Sequence, residues 1–314
     1  MTDRYGRTIE YLRLSVTDRC NLRCIYCMSE DGVCKRRHND ILRIEELAEI
    51  VRAAYTLGIR KIRLTGGEPL VRKGVLTLCE MIKAIDPAIE LGMTTNGSLL
   101  REYAADLKKA GVDRLNISLD TLSPDIYRAV TRRGELRDVS DGLKAAIDAG
   151  FVNTKINVVL IGGVNDNDVM DMILLARDSD LQVRFIELMP MDIVSGWDKS
   201  RFISAELVEQ HLHGAQLVGY DGVARIYRPT GFAGTVGVIS PLSRSFCDRC
   251  NKIRVTADGK LKPCLHSSDE INLRGLHGEE LLEAIRLGIR SKPQSHKLGE
   301  FHSGSARSMN EIGG

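Results

Sequence analysis

The sequence lacks any apolar run approaching the ~20 residues needed to cross a bilayer, and Met1 to Glu10 is polar and charged, without the apolar core of a secretion signal. These absences predict a cytoplasmic protein with no membrane partner. An excess of one charge sign is lacking too: 44 Lys and Arg stand against 42 Asp and Glu, a formal net charge of +2. No global field therefore draws the chain toward nucleic acid, and anion recognition must come from local clustering. There is no internal repeat, low-complexity tract or flexible linker. At 43% hydrophobic and 27% charged residues, the composition is globular rather than disordered or fibrous. The length, 314 residues, suits one large α/β domain with an appendage or two modest domains. What is present in quantity is cysteine. In a reducing compartment, eight cysteines suggest metal binding or catalysis rather than disulfides, and six of them fall into two tight groups.

From Tyr11 to about Leu188, short β-rich runs alternate with helical ones. The strands predicted are Tyr11–Val16, Lys61–Thr65, Leu91–Thr95, Arg114–Leu119, Val152–Ile161 and Gln182–Leu188. Between them, Ile44, Leu47, Val51 and Ala54 share a helical face closed by Gly58; Leu99–Ala110 closed by Gly111 and Asp138–Ala149 closed by Gly150 read the same way. Strand–helix alternation implies parallel strands and right-handed crossovers, hence a partial barrel or an open doubly wound sheet. Within the strands, Leu12, Leu14 and Val16 alternate with Arg13 and Ser15; Ile62 and Leu64 with Lys61, Arg63 and Thr65; Leu115 and Ile117 with Asn116 and Ser118; Ile156 and Val158 with Lys155 and Asn157. A parallel sheet covered on both faces should be apolar on both, yet one face here is polar and cationic. That pattern fits a barrel whose lumen holds an anionic ligand, against the plainer alternative of an amphipathic sheet with one wet face. Beyond about Pro190 the pattern changes. Ser204–His213 reads as helix, Tyr227–Leu261 as Gly-rich and strand-like, Asn272–Gly288 as helix, and the rest as a polar tail. Cys79 falls in the helical run Val75–Ile85 as a small core residue, and Cys34 in a solvated loop as an incidental thiol.

Cys20, Cys24 and Cys27 form C-x3-C-x2-C just after the first strand, where barrel folds carry their chemistry. Thiolates suit iron–sulfur clusters, zinc or copper. Three thiolates leave one iron of a four-iron cluster open, whereas zinc needs a fourth ligand that the loop does not contain. The segment SVTDRCNLRCIYCM, Ser15–Met28, resembles the cluster loop of the radical SAM superfamily. The resemblance implies a [4Fe–4S] cluster whose open iron chelates S-adenosylmethionine (SAM), the source of a 5′-deoxyadenosyl radical. TGGEP, Thr65–Pro69, after the second strand, strengthens it; by the same resemblance Gly67, Tyr26, Ser118 and Met189 are SAM contacts.

Cys247, Cys250 and Cys264 form C-x2-C-x13-C. By spacing alone a zinc site closed by His266 stands level with an iron–sulfur cluster. With both triads in place, and with the terminal Gly-Gly, the chain from Arg13 to Gly314 resembles the GTP 3′,8-cyclase family of molybdenum cofactor biosynthesis. That resemblance implies a second [4Fe–4S] cluster meeting the guanine base, and GTP contacts at Arg13, Arg63, Thr94, Lys155, Lys252 and Arg254. Of these, periodicity already turns Arg13, Arg63 and Lys155 into the lumen. Lys61 and Arg184 extend the cationic set, and Gly313 and Gly314 are expected to reach the site. The family commonly has Arg-x-Arg where Lys252-Ile253-Arg254 stands here, and Lys keeps the charge but not the fork. The family also usually has Pro where Ser29 stands.

The expected fold is thus α/β: a partial (βα)6 barrel over residues 1–190, with a small C-terminal cluster- and substrate-binding region over 191–314. The expected partners are GTP, an electron donor and a downstream cyclic pyranopterin monophosphate synthase, with no nucleic acid; a homodimer stays open. The rival readings are a peptide-modifying radical SAM enzyme, which needs no cationic lumen, and a non-catalytic zinc protein.

Overall fold

The computed structural model describes residues 1–32, 37–191, 199–296, 298 and 303–314. Cys34 lies outside them. Strands and helices alternate from the start: β1 (Tyr11–Ser15), α1 (Ile44–Thr56), β2 (Lys61–Thr65), α2 (Val75–Ile85), β3 (Glu90–Thr95), α3 (Leu100–Lys109) and β4 (Arg114–Ser118). Two helices, α4 (Pro124–Thr131) and α5 (Leu136–Asp148), lead to β5 (Lys155–Leu160), and α6 (Val169–Leu174) to β6 (Gln182–Glu187). The remainder comprises α7 (Glu206–His211), β7 (Gln216–Asp221), β8 (Ala224–Arg228), β9 (Thr235–Ile239), β10 (Lys252–Val255), β11 (Lys260–Lys262), β12 (Ile271–Asn272), α8 (Gly278–Arg290) and α9 (Met309–Ile312).

Among the described residues, twelve strands join one sheet in the order β12-β11-β10-β1-β2-β3-β4-β5-β6-β9-β8-β7, with no pairing of its two ends. The barrel is therefore partial. β10 pairs in parallel with β1 and β9 with β6, so the parallel run β1 to β6 continues across the 190/191 boundary at both flanks. The helices stand on the convex face, where Leu12, Leu14, Ile62, Leu64, Leu91, Leu115, Ile117, Ile156, Val158, Val183 and Phe185 are buried with Leu47, Val51, Leu78, Leu107 and Val139 of the helices. Removing that apolar area from water, at roughly 25 cal/mol per Å², supplies the main drive for the wrap. Cys79 is fully buried on α2, as a core residue. Gly58 stops α1 at φ +94°, a conformation a side chain would strain.

Three sequence expectations move. The strand expected from Val152 starts at Lys155, because Asn153 takes φ +52° in a turn whose N–H donates to Asp180 at 2.8 Å. Asn272 to His277 is not helical. Ile271 and Asn272 pair with β11, Leu273 N–H donates to Gly259 O at 2.8 Å, and α8 begins only at Gly278; burying Leu273 against the sheet overrides the helical spacing. The helix expected over Ser204–His213 is shorter, Glu206–His211.

Candidate active site

The concave face encloses a cavity of about 610 Å³, the size of a site for a cofactor or nucleotide. Sequence-distant residues meet there because of strand register. Arg13 lies level with Arg254 on one side and Arg63 on the other, so three arginines occupy one lateral row on neighbouring strands ~4.8 Å apart. The next position in that row is Gly92, where a methyl group would fall 2.7 Å from the Arg63 guanidinium carbon; glycine makes the room. Gly237 does the same opposite Arg184. Lys155 on β5 is level with Asn116 on β4, and Thr94 on β3 with the same Asn116.

These groups are fixed before any ligand arrives. Arg63 donates to the Tyr11 hydroxyl at 2.5 Å and to Asn116 Oδ1 at 2.9 Å. Arg13 donates to Gly314 O at 2.5 Å and Arg254 to Gly313 O at 2.9 Å, so the C-terminal tail does enter the cavity. Asn310 anchors it from α9 by donating to Asp18 O at 3.2 Å, which also ties the tail to the first cysteine loop. Charge is left over all the same. Burial, then Arg13, pushes the Arg254 guanidinium down to about 9. Burial, then Arg184, pushes Lys155 down to about 8. Burial would raise the Tyr11 phenol, but Arg63, Arg13 and Lys252 outweigh it and bring it down to about 8. Buried Arg13 Nε, Thr94 Oγ1 and Lys252 Nζ have no hydrogen-bond partner. A row of buried cations with spare donors is a standing demand for an anion.

All six clustered cysteines line this cavity and are free thiols. Cys20, Cys24 and Cys27 stand at the C-terminal end of β1 in a loop stapled to the TGGEP turn, with Gly67 N–H donating to Thr17 O and Glu68 N–H to Arg19 O, both at 2.8 Å. Burial pushes Cys20 up to about 11, Cys27 up to about 12 and Cys24 well above its ordinary value. At Cys247 and Cys250 the direction reverses. Burial would raise Cys247, but hydrogen bonding from His296 outweighs it and draws the thiol down to about 7; Lys292 and Lys252 likewise lower Cys250. The donor set fits iron–sulfur chemistry: two triads of thiols on one cavity, each one ligand short of the four irons of a cubane. Among the described residues no three His, Cys, Asp or Glu side chains gather as a site for a single metal ion. His266, the alternative zinc ligand, faces Ser303 Oγ at 3.2 Å, and its pKa is pushed down to about 3 by burial and then by His296.

Tyr26, Gly67, Ser118 and Met189 line the same cavity. The Tyr26 hydroxyl donates to Asp120 Oδ2 at 2.8 Å. Lys61 lines the mouth, paired with Glu90 at 3.5 Å. Every site residue expected from sequence and described by the structure thus lies on one wall or in its lining, apart from Gly313, which reaches the wall through its carbonyl. Sequence reasoning missed Tyr11, Asp221, Lys292, His296 and Asn310, whereas strand alternation had placed Asn116 on the polar face. Tyr11 shares the alternation phase of Arg13 and was legible; Asp221, Lys292 and His296 carry no periodic signal.

Fold and thiol loop define the class, a radical SAM enzyme: residues 14–176 match the model of the Radical SAM superfamily, and residues 181–298 that of Molybdenum Cofactor Synthesis C. The fold is shared with Streptococcus suis SuiB bound to precursor peptide SuiA, at TM-score 0.65 and 15% identity over 98% of this chain and 71% of that one. It is shared as well with anSMEcpe with bound AdoMet, at TM-score 0.62 and 15% identity over 91% and 85%. Sequence relatives are more specific: a GTP 3′,8-cyclase of Alkaliphilus metalliredigens is 48% identical over 100% of both chains, and one of Geobacter sulfurreducens 47% identical over 100% of this chain and 99% of its own. The chain belongs to the GTP 3′,8-cyclase family.

Proposed function

We propose that this enzyme cyclises GTP to (8S)-3′,8-cyclo-7,8-dihydro-GTP, the first step of molybdenum cofactor biosynthesis. The observation that carries the reading is one cavity lined both by a row of arginines, Arg254, Arg13 and Arg63, and by two thiol triads. A nucleoside triphosphate supplies the anion that the row lacks, and the two triads give the chemistry and the base each a place. A peptide-modifying enzyme does not need such a row, so GTP binding separates the two readings.

Cys20, Cys24 and Cys27 would hold the first [4Fe–4S] cluster, and Cys247, Cys250 and Cys264 the second. When bound with SAM, the first cluster supplies radical chemistry through reductive cleavage of SAM. The chain's own residues bind, orient and exclude water. Gly67, Tyr26, Ser118 and Met189 form the SAM wall. Arg13, Arg63, Arg254, Lys155, Lys252 and Thr94 take the triphosphate and ribose, with Lys61 at the mouth and Arg184 beside Lys155. Joining ribose C3′ to guanine C8 requires the nucleotide to be held folded at both ends, and fixing that geometry contributes more than any single group. Gly313 and Gly314 close the floor without side chains, holding Arg13 and Arg254 in place. We infer that the enzyme works in the cytoplasm, where six ligand thiols stay reduced, with an external one-electron donor. Its product passes to the cyclic pyranopterin monophosphate synthase.

The test is anaerobic turnover of reconstituted protein with SAM and a strong reductant, with and without GTP, assaying 5′-deoxyadenosine and cyclised nucleotide together. GTP-dependent formation of both supports the reading. Deoxyadenosine without a nucleotide product moves the substrate elsewhere.

A further inference from the structure

The cationic wall carries a carboxylate that the reaction does not require. Asp221 ends β7 at a two-residue turn, Gly222-Val223, and pairs across it with Ala224 of β8. Its Oδ2 accepts from Lys155 Nζ at 2.5 Å and also from Arg184 Nη2. Both cations are buried, whereas the Asp221 side chain is 45% exposed. One anionic oxygen bridging two buried cations is the arrangement that a phosphate oxygen makes.

Other carboxylates of the wall are committed elsewhere. Glu187 accepts from the backbone N–H groups of Ala205, Leu242 and Ser243, and Glu90 pairs with Lys61 and Arg114 at 3.5 Å. Asp221 is different because its support is light. β7 is the edge strand of the sheet, its register with β8 shifts between Leu217 and Gly219, and Leu217, Val218 and Tyr220 are exposed. Moving β7 alone uncovers little apolar surface, because the buried Ala224 and Ile226 belong to β8, which stays paired with β9, so local opening of this edge strand is inexpensive. Leaving Lys155 buried without an anion, and Arg184 with only its bond to Gln182 Oε1, would be costly by comparison.

We propose that Asp221 is a displaceable counter-ion: it pairs Lys155 and Arg184 while the cavity is empty, and a phosphate group of the nucleotide takes its place as the edge strand β7 yields. The proposal rests on the reading of the cavity as a triphosphate site. It follows that Asp221 lowers the apparent affinity for any ligand whose phosphate must displace it, since the competent state is only partly populated. It leaves untouched a ligand that does not reach Lys155 and Arg184.

Binding is measured anaerobically on cluster-loaded enzyme without reductant, at mildly acidic pH where both cations stay charged, with GTP, inorganic triphosphate and guanosine as probes. Asp221→Asn is expected to bind GTP and triphosphate about fivefold or more tightly, a typical coupling between linked sites, with guanosine unchanged. Asp221→Glu restores the carboxylate and returns the affinity toward that of the parent. Equal affinity of parent and Asp221→Asn for triphosphate overturns the counter-ion role and leaves the triphosphate site standing. Weaker binding by Asp221→Asn also overturns it, because the carboxylate would then serve the ligand rather than yield to it. Absence of triphosphate binding in every protein overturns the reading of the cavity and the counter-ion with it.

Discussion

Replacing Gly67 with alanine places a methyl group 2.3 Å from Arg19 O, 2.6 Å from Arg19 C and 2.9 Å from Asp18 O. These are backbone atoms of the loop that carries Cys20, so no side chain can swing aside. Ordinary carbon contacts begin near 3.4 Å, and the loop or the TGGEP turn must therefore retreat by about 1 Å. Overpacking of this kind costs ~1–3 kcal/mol of stability, or about 2–4 °C of melting temperature for each kcal/mol lost in a chain approaching this size. Catalysis should suffer more than folding. The retreat pulls apart the 2.8 Å bonds from Gly67 N to Thr17 O and from Glu68 N to Arg19 O, the staples between the TGGEP turn and the loop of the first thiol triad. A displacement of ~1 Å in a positioned reaction costs on the order of 100-fold in rate. The assay is the initial anaerobic rate of 5′-deoxyadenosine formation by reconstituted Gly67→Ala, with iron content measured alongside. A rate equal to the parent's, at parental iron content, would refute the argument that this close backbone approach sets the geometry.

Glu68 tests the electrostatics of the same turn. Burial pushes its carboxyl up to about 7, against hydrogen bonds from Asn96 N–H, Leu70 N–H and Thr95 that pull it down. The folded state thus binds the proton more tightly than the unfolded one. Stability should fall as pH rises from the ordinary carboxylate range to about 7 and level off above it; Glu68→Gln should flatten that slope in pH-dependent melting, with a residual part from Asp120, pushed up to about 6 by burial. Removing Gly313 and Gly314 strips carbonyl acceptors from Arg13 and Arg254, so nucleotide turnover should drop while iron content and GTP-independent SAM cleavage persist; unchanged turnover would discard a role for the tail. Phe185→Ala on β6 empties one of the largest fully buried side-chain sites and should cost ~3–5 kcal/mol in denaturant unfolding without altering iron content.

The sequence by itself determined the local chemistry and the local periods. Thiol spacing marked both triads, strand alternation separated Leu12 and Leu14 from Arg13, and a stop residue such as Gly58 fell where its helix ends. Such features depend on neighbours a few residues apart, so they are legible in one dimension. Boundaries failed where distant contacts outbid local preference, as when Leu273 docked on the sheet and kept Asn272 to His277 out of a helix. Only the tertiary structure could set Arg254 level with Arg13, because β10 reaches β1 through a pairing more than two hundred residues apart. It alone delivered Asp221, on an edge hairpin, to Lys155 and Arg184. It also gave the polar tail its anchors in the cavity, at Arg13, Arg254 and Asp18 O. Which charges share a wall is decided by register and closure of the sheet, and these are fixed by burying its convex face under helices rather than by any property of the charged residues themselves.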